Sequence, residues 1–259
     1  MKFTSALFML LVGATAAMGP VPDVTPVDYQ DGNFTLQGFL SVPQGLTDQK
    51  IPAVIVIPDW DGVNYYEQQR ATMISQELGY VGFAADIFGP DDHNVATVPE
   101  RIALVSLYHG DKNLFMSRIT AAIEEVKAHP NVDENKVGLA GYCFGGTGVI
   151  DYALMGLNDV EALVSIHGGL SNQFDGMLQE TGPEILILSG GDDDQSSDIM
   201  ALEETLDFTN ATWEITRYSG IQHAVSRTLS SLPQSETNIV LTSHTNMIAF
   251  VIVSIVDCL

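Results

Sequence analysis

The sequence predicts an α/β fold in which a mostly parallel sheet is covered by helices on both faces. Three observations carry that expectation. Continuous apolar runs, such as Ala53-Val54-Ile55-Val56-Ile57, lack the alternation of a half-exposed strand and fit strands buried on both sides. Helical stretches separate successive runs, and an alternating βαβ order implies parallel strands joined by crossovers. The chain has 259 residues and 46% hydrophobic content, enough for one large core in a single domain.

The elements follow in order. Residues 1–17 open with Met1-Lys2, continue through an apolar centre and end in Gly13-Ala14-Thr15-Ala16-Ala17. This is the pattern of a secretory signal peptide, and the run is too short to span a bilayer comfortably, although a short anchor or a buried first helix shares the composition. Residues 18–27 are proline-rich and aperiodic, an extended leader. The domain then runs over 28–259. Within it, 34–42 alternates like an early antiparallel strand, and 53–57, 80–85, 137–140, 162–166, 185–188 and 213–218 read as further strands. Helices are expected over 65–78, 114–128, 146–155, 197–208 and 243–256. The last is apolar enough to suggest a membrane tail but is short and ends at Asp257, so it is read as a docked core helix.

A net charge of −23 makes nucleic acid and anionic membranes poor partners. A secreted protein, free of the membrane in its mature form and monomeric, is expected. Its two cysteines, Cys143 and Cys258, could form a bridge, but that pairing would consume the cysteine of greatest chemical interest. Asn33-Phe34-Thr35 and Asn210-Ala211-Thr212 are glycosylation sequons, a pattern that also arises by chance. No C-x-x-C, H-x-x-x-H or acidic metal loop occurs, and neither a metal nor another cofactor is expected.

Chemistry concentrates at Gly141-Tyr142-Cys143-Phe144-Gly145-Gly146, directly after the expected strand 137–140. Small residues around a nucleophile permit the strained strand-to-helix turn that lifts it from the sheet and frees the next backbone N–H for an oxyanion. The same six residues also fit a glycine-rich turn around an inert cysteine. Two later strand ends supply partners for catalysis. Asp193 lies in the turn after 185–188, and His223 lies in the loop after 213–218. The order nucleophile, acid, histidine is that of a hydrolase triad. Asp192 and Asp194 are one residue out of register and are expected to be solvated. His167, beside Gly168-Gly169, is expected to make a structural hydrogen bond.

Over almost the whole chain after the leader, the sequence resembles the dienelactone hydrolase family of α/β-hydrolases. The likeness rests on Tyr29-Gln30-Asp31-Gly32, Trp60-Asp61-Gly62, Ala85-Asp86-Ile87-Phe88-Gly89, Gly141 to Gly146, Ser165-Ile166-His167-Gly168-Gly169 and Tyr218 to Ala224. The resemblance implies an α/β-hydrolase fold and a cofactor-free hydrolase of small-molecule esters or lactones, acting through a thioester on Cys143. It gives Cys143, Asp193 and His223 the triad roles and the N–H groups of Trp60 and Phe144 the oxyanion hole. Asp59 stands where the family has a glutamate that modulates the nucleophile, one methylene shorter. Arg227, and more weakly Arg101, match arginines that hold a substrate carboxylate. A general carboxylesterase for neutral esters and a non-catalytic binding relative are the alternatives.

Expression in a secreting host followed by N-terminal sequencing should find the mature chain beginning near Ala17 to Gly19; exported protein that retains Met1 would refute cleavage.

Overall fold

A computed structural model of the chain describes residues 21–171, 179–220 and 223. The expected signal segment, Arg227, Cys258 and the expected helix at 243–256 lie outside those residues. The chain enters the sheet as a hairpin of β1 (Thr25–Asp31) and β2 (Phe34–Ser41). The leader therefore ends earlier than expected, because Thr25, Pro26 and Val27 already pair with Leu40, Phe39 and Gly38. β1 is an edge strand, where a proline's missing N–H costs no ladder bond, so the prolines that suggested an unpaired leader are compatible with a strand.

The remaining elements are β3 (Ile51–Ile57), α1 (Tyr65–Met73) with a π-helical extension over Ile74–Leu78, β4 (Val81–Ala84), α2 (Val98–Gly110) and α3 (Lys112–Ala128). They continue with β5 (Val132–Tyr142), α4 (Phe144–Leu154), β6 (Ala162–Ile166), β7 (Glu184–Gly190), α5 (Ser196–Phe208) and β8 (Trp213–Tyr218). The eight strands lie in the order β1-β2-β4-β3-β5-β6-β7-β8. The pairs β1–β2 and β2–β4 are antiparallel, and every pair from β4 to β8 is parallel.

Helix α2 has no counterpart in the sequence reading. Its start is well marked, with Pro99 in the first turn and a reciprocal cap between Thr97 and Glu100. Its inward face is narrow and mostly half-buried: Leu104 and Val105 pack partly against the core beside buried Tyr108, while Val98, Ile102 and Leu107 are exposed. Apolar residues on its outer face blur the period that marks a buried stripe.

Alternate residues of the central strands feed two cores. Ile55, Ile57, Leu139, Leu163, Ile185 and Ile187 face a large cluster with α3, α4 and α5, whereas Val54, Val56, Ala140, Val164, Leu186 and Leu188 face a smaller one with Ile74. Burial on both sides is why these strands read as unbroken apolar runs. The hairpin is tied to α3 through Asp31, which accepts hydrogen bonds from Ser117 Oγ at 2.5 Å and Arg118 at 2.7 Å. The Arg118 guanidinium also lies 4.0 Å from the centre of the Phe34 ring. No helix among the described residues is long and apolar enough to cross a membrane.

One backbone contact sets how closely α1 approaches the sheet. A Cβ on Gly82 would lie 2.1 Å from the Ala71 carbonyl oxygen. Gly82→Ala should therefore destabilise the fold by about 1–3 kcal/mol through overpacking, read as a lower urea midpoint with an unchanged m-value.

Candidate active site

The order of parallel strands reverses between β3 and β5, since the chain builds outward from β3 through β4 on one side and through β5 to β8 on the other. Groups carried at the carboxyl ends of these two strands converge above the sheet. Ile57 and Gly141 are register partners at that edge, so the loops that follow them, with Trp60 on one and Cys143 on the other, are neighbours.

Cys143 is the cap residue between β5 and α4, with φ 49° and ψ −108°, a conformation that costs a non-glycine residue of order 1–3 kcal/mol. The surrounding backbone leaves little alternative. A Cβ on Gly141 would lie 2.1 Å from the Gly145 oxygen, and one on Gly145 would lie 2.4 Å from the Ile57 oxygen. The Gly145 N–H donates to the Pro58 carbonyl at 3.0 Å, and the Cys143 N–H to that of Ile166 at 3.0 Å. Cys143 is thus held at the amino end of α4, where the helix dipole favours negative charge on its sulfur. The adjacent Phe144 N–H opens the helix and has no intrahelical acceptor, as an oxyanion donor requires. Its side chain anchors the turn, stacking on Phe115 at 4.4 Å among Phe88, Tyr108 and His109.

The other two members of the expected triad meet the cysteine. Cys143 Sγ lies 2.9 Å from His223 Nε2, and His223 Nδ1 lies 2.9 Å from Asp193 Oδ2 and 3.1 Å from Oδ1. With Asp193 accepting from Nδ1–H, Nε2 is left to accept the thiol proton. The His223 side chain is 43% exposed, which leaves the sulfur approachable.

Three neighbours differ from expectation. Asp194 is half-buried and bonded within the site: it accepts from Ser189 Oγ at 2.9 Å and the Leu170 N–H at 3.2 Å, tying the end of β7 to the loop after β6. Burial raises its carboxyl pKa, with those two hydrogen bonds opposing the shift. Its register offset correctly removed it from the triad, but an Asp-Asp-Asp run gives no sign of which carboxylate turns inward. His167, for which only a structural hydrogen bond was expected, is buried beside the triad, with its ring centroid 5.2 Å from that of His223. The signal for it was positional: Tyr142 and Ile166 are register partners, so Cys143 and His167 leave adjacent strands side by side.

The third difference concerns the expected oxyanion donor at Trp60. Its N–H donates to Asp59 Oδ1 at 2.5 Å, so in this structure the donor is engaged by the side chain before it. Asp59, expected to modulate the sulfur, is 2% exposed and also holds the neighbouring donor. Arg101 stands by the same loop. Its Nε–H donates to the Val95 carbonyl at 2.7 Å, a terminal nitrogen is 3.8 Å from Asp61, and the guanidinium lies 5.4 Å from the centre of the Trp60 ring. Arg227 falls outside the described residues.

The sequence model of the dienelactone hydrolase family matches residues 36–244, most of the chain. The chain belongs to the dienelactone hydrolase family. Like its relatives it is a hydrolase acting on carboxylic ester or lactone bonds. A Bradyrhizobium protein named for 2-oxo-3-(5-oxofuran-2-ylidene)propanoate lactonase activity is 27% identical over 190 residues, covering 68% of this chain and 73% of the relative. A Synechocystis protein named for carboxymethylenebutenolidase activity is 31% identical over 149 residues, covering 56% of this chain and 58% of the relative. Among solved structures, a dienelactone hydrolase-like promiscuous phosphotriesterase from metagenomic libraries superposes with a TM-score of 0.74. Its sequence identity is 25%, and the match covers 87% of this chain and 97% of that one.

The Asp59 contact generates a test. Asp59→Asn replaces a charged acceptor with a weaker neutral one, so the Trp60 N–H should be released more readily. Acylation by a chromogenic ester should rise about tenfold, a fraction of the hundredfold or more that one oxyanion donor is worth. A stopped-flow burst measures it, and an unchanged or slower burst would show that the carboxylate does not compete with the oxyanion.

Proposed function

We propose that ester or lactone cleavage proceeds through a thioester on Cys143, with His223 as base and Asp193 as the group that orients it. The observation carrying this reading is the continuous line from sulfur to imidazole to carboxylate, 2.9 Å at each step. His223 Nε2 takes the thiol proton as Sγ attacks the acyl carbon. The developing oxyanion is received by the Phe144 N–H and, once Asp59 yields it, by that of Trp60. His223 then returns the proton to the leaving alkoxide. A water molecule, deprotonated by the same imidazole, cleaves the thioester and regenerates the thiol.

The substrate we infer is a small ester or lactone bearing a carboxylate. Arg101 supports this, since it lies against Trp60 and has N–H groups beyond the one given to Val95 and the terminal nitrogen that faces Asp61 at 3.8 Å. Arg227 is proposed as a second carboxylate anchor on family resemblance. The mature protein is proposed to be secreted and monomeric, following loss of residues 1–17, with a single hydrolase domain after the leader.

Cys143→Ala and His223→Ala should each lower kcat/KM about a thousandfold or more while circular dichroism stays unchanged, and Asp193→Asn should be nearly as damaging. Wild-type turnover in Cys143→Ala would overturn the mechanism. Arg101→Met should raise KM for anionic esters and leave neutral ones unaffected; equal effects on both would favour a general carboxylesterase.

A further inference from the structure

The His167 imidazole has no part in the proton relay, yet it lies within the same small volume as the two groups that do. Cys143 Sγ, a His167 ring nitrogen and a His223 ring nitrogen all lie within 4.8 Å of one another. Three backbone features fix this. Cys143 and His167 both have left-handed φ values, 49° and 42°, immediately after the register partners Tyr142 and Ile166. The His167 N–H is anchored on the Leu188 carbonyl at 2.8 Å. A Cβ on Gly168 would lie 2.5 Å from the Gly146 carbonyl carbon, so the loop carrying His167 is pressed against the turn carrying Cys143.

We propose that Cys143, His167 and His223 form a binding site for a soft or borderline divalent cation, Zn²⁺ in particular, and that its occupancy inhibits the hydrolase. The donor set is one thiolate and two imidazoles, which suits zinc and leaves a fourth tetrahedral position toward solvent. Bonds of about 2.3 Å for sulfur and about 2.0–2.1 Å for nitrogen at tetrahedral angles place these donors roughly 3.6 Å apart. Cys143 Sγ and His223 Nε2, now 2.9 Å apart, would open by a fraction of an ångström to admit the ion, and no donor pair exceeds 4.8 Å. Asp193 on His223 Nδ1 supplies the outer-shell carboxylate that directs the other ring nitrogen toward a metal. On binding, the thiol proton passes to solvent, and the metal takes the sulfur and imidazole lone pairs that the reaction needs. Nothing in the chain's linear spacing announces this site, because the donors come from the ends of three different strands.

Binding is independent of the proposed mechanism; the inhibition rests on it, and the experiment separates the two. Metal-stripped full-length protein is titrated with Co²⁺. Wild type should develop a thiolate-to-cobalt charge-transfer band and the intense visible bands of tetrahedral cobalt, both removed by Zn²⁺. X-ray absorption at the zinc edge should give one sulfur and two imidazoles. Cys143→Ala should lose the charge-transfer band, and His167→Asn should weaken Zn²⁺ binding at least about tenfold and raise the Zn²⁺ concentration that inhibits by the same factor. Absence of the band, or a zinc shell with fewer than two imidazoles, would overturn the proposal in the wild type alone, whatever the variants' folding. Equal zinc inhibition in wild type and folded His167→Asn would also overturn it. A bound metal with both signatures but undiminished hydrolysis would uphold binding, refute inhibition and count against Cys143 as nucleophile.

Discussion

Everything at the reaction centre depends on how closely backbone approaches backbone where β5 becomes α4. The amino end of α4 lies against the ends of β3 and β6 with no side chain between them, as the close approaches at Gly141, Gly145 and Gly146 show. A methyl group at any of these positions would have to displace main chain rather than a flexible side chain, and main chain in the centre of a sheet has little freedom to move. That compression turns Cys143 out of the sheet and brings the Trp60 and His167 loops against it.

The strain is supported by its surroundings. Left-handed backbone at Cys143 and His167 is unfavourable in isolation, and it persists because neighbouring contacts over-determine it. Phe144 is packed among aromatic rings, the Cys143 and His167 N–H groups are bonded to strand-end carbonyls, and Gly169 N–H donates to Thr147 Oγ1 at 2.9 Å. The parallel sheet beneath is buried on both faces and acts as the rigid base. Strand ends then deliver Cys143, His167, Asp193 and His223 from four adjacent strands in sequence order.

Carboxylates around this centre are sorted by what they face. Asp193 meets an imidazole, Asp59 takes a backbone N–H on the neighbouring loop, and Asp194 bridges a hydroxyl and an N–H between two strand ends. Arg217 adds hydrogen bonds to the Gly191 and Asp194 carbonyls, stiffening the turn that presents Asp193. In so acidic a chain, the useful carboxylates are distinguished by partners and burial, not by abundance.

The sequence by itself determined the order of the central strands and of most helices between them, because two-sided burial leaves continuous apolar runs, and it marked candidates for nucleophile, acid and base, because each follows closely on the end of a strand. The early start of β1 at Thr25 was hidden by prolines that an edge strand tolerates, and α2 was hidden because exposed apolar residues Val98, Ile102 and Leu107 blur its narrow inward stripe. Only the tertiary structure decided that the Trp60 N–H is held by Asp59, that Asp194 turns inward and that His167 stands beside Cys143. Those facts depend on the pairing of β5 with β6 and on loop geometry. Apolar patterning records which face of an element is buried, but it does not record which polar groups two neighbouring strand ends bring within reach of each other.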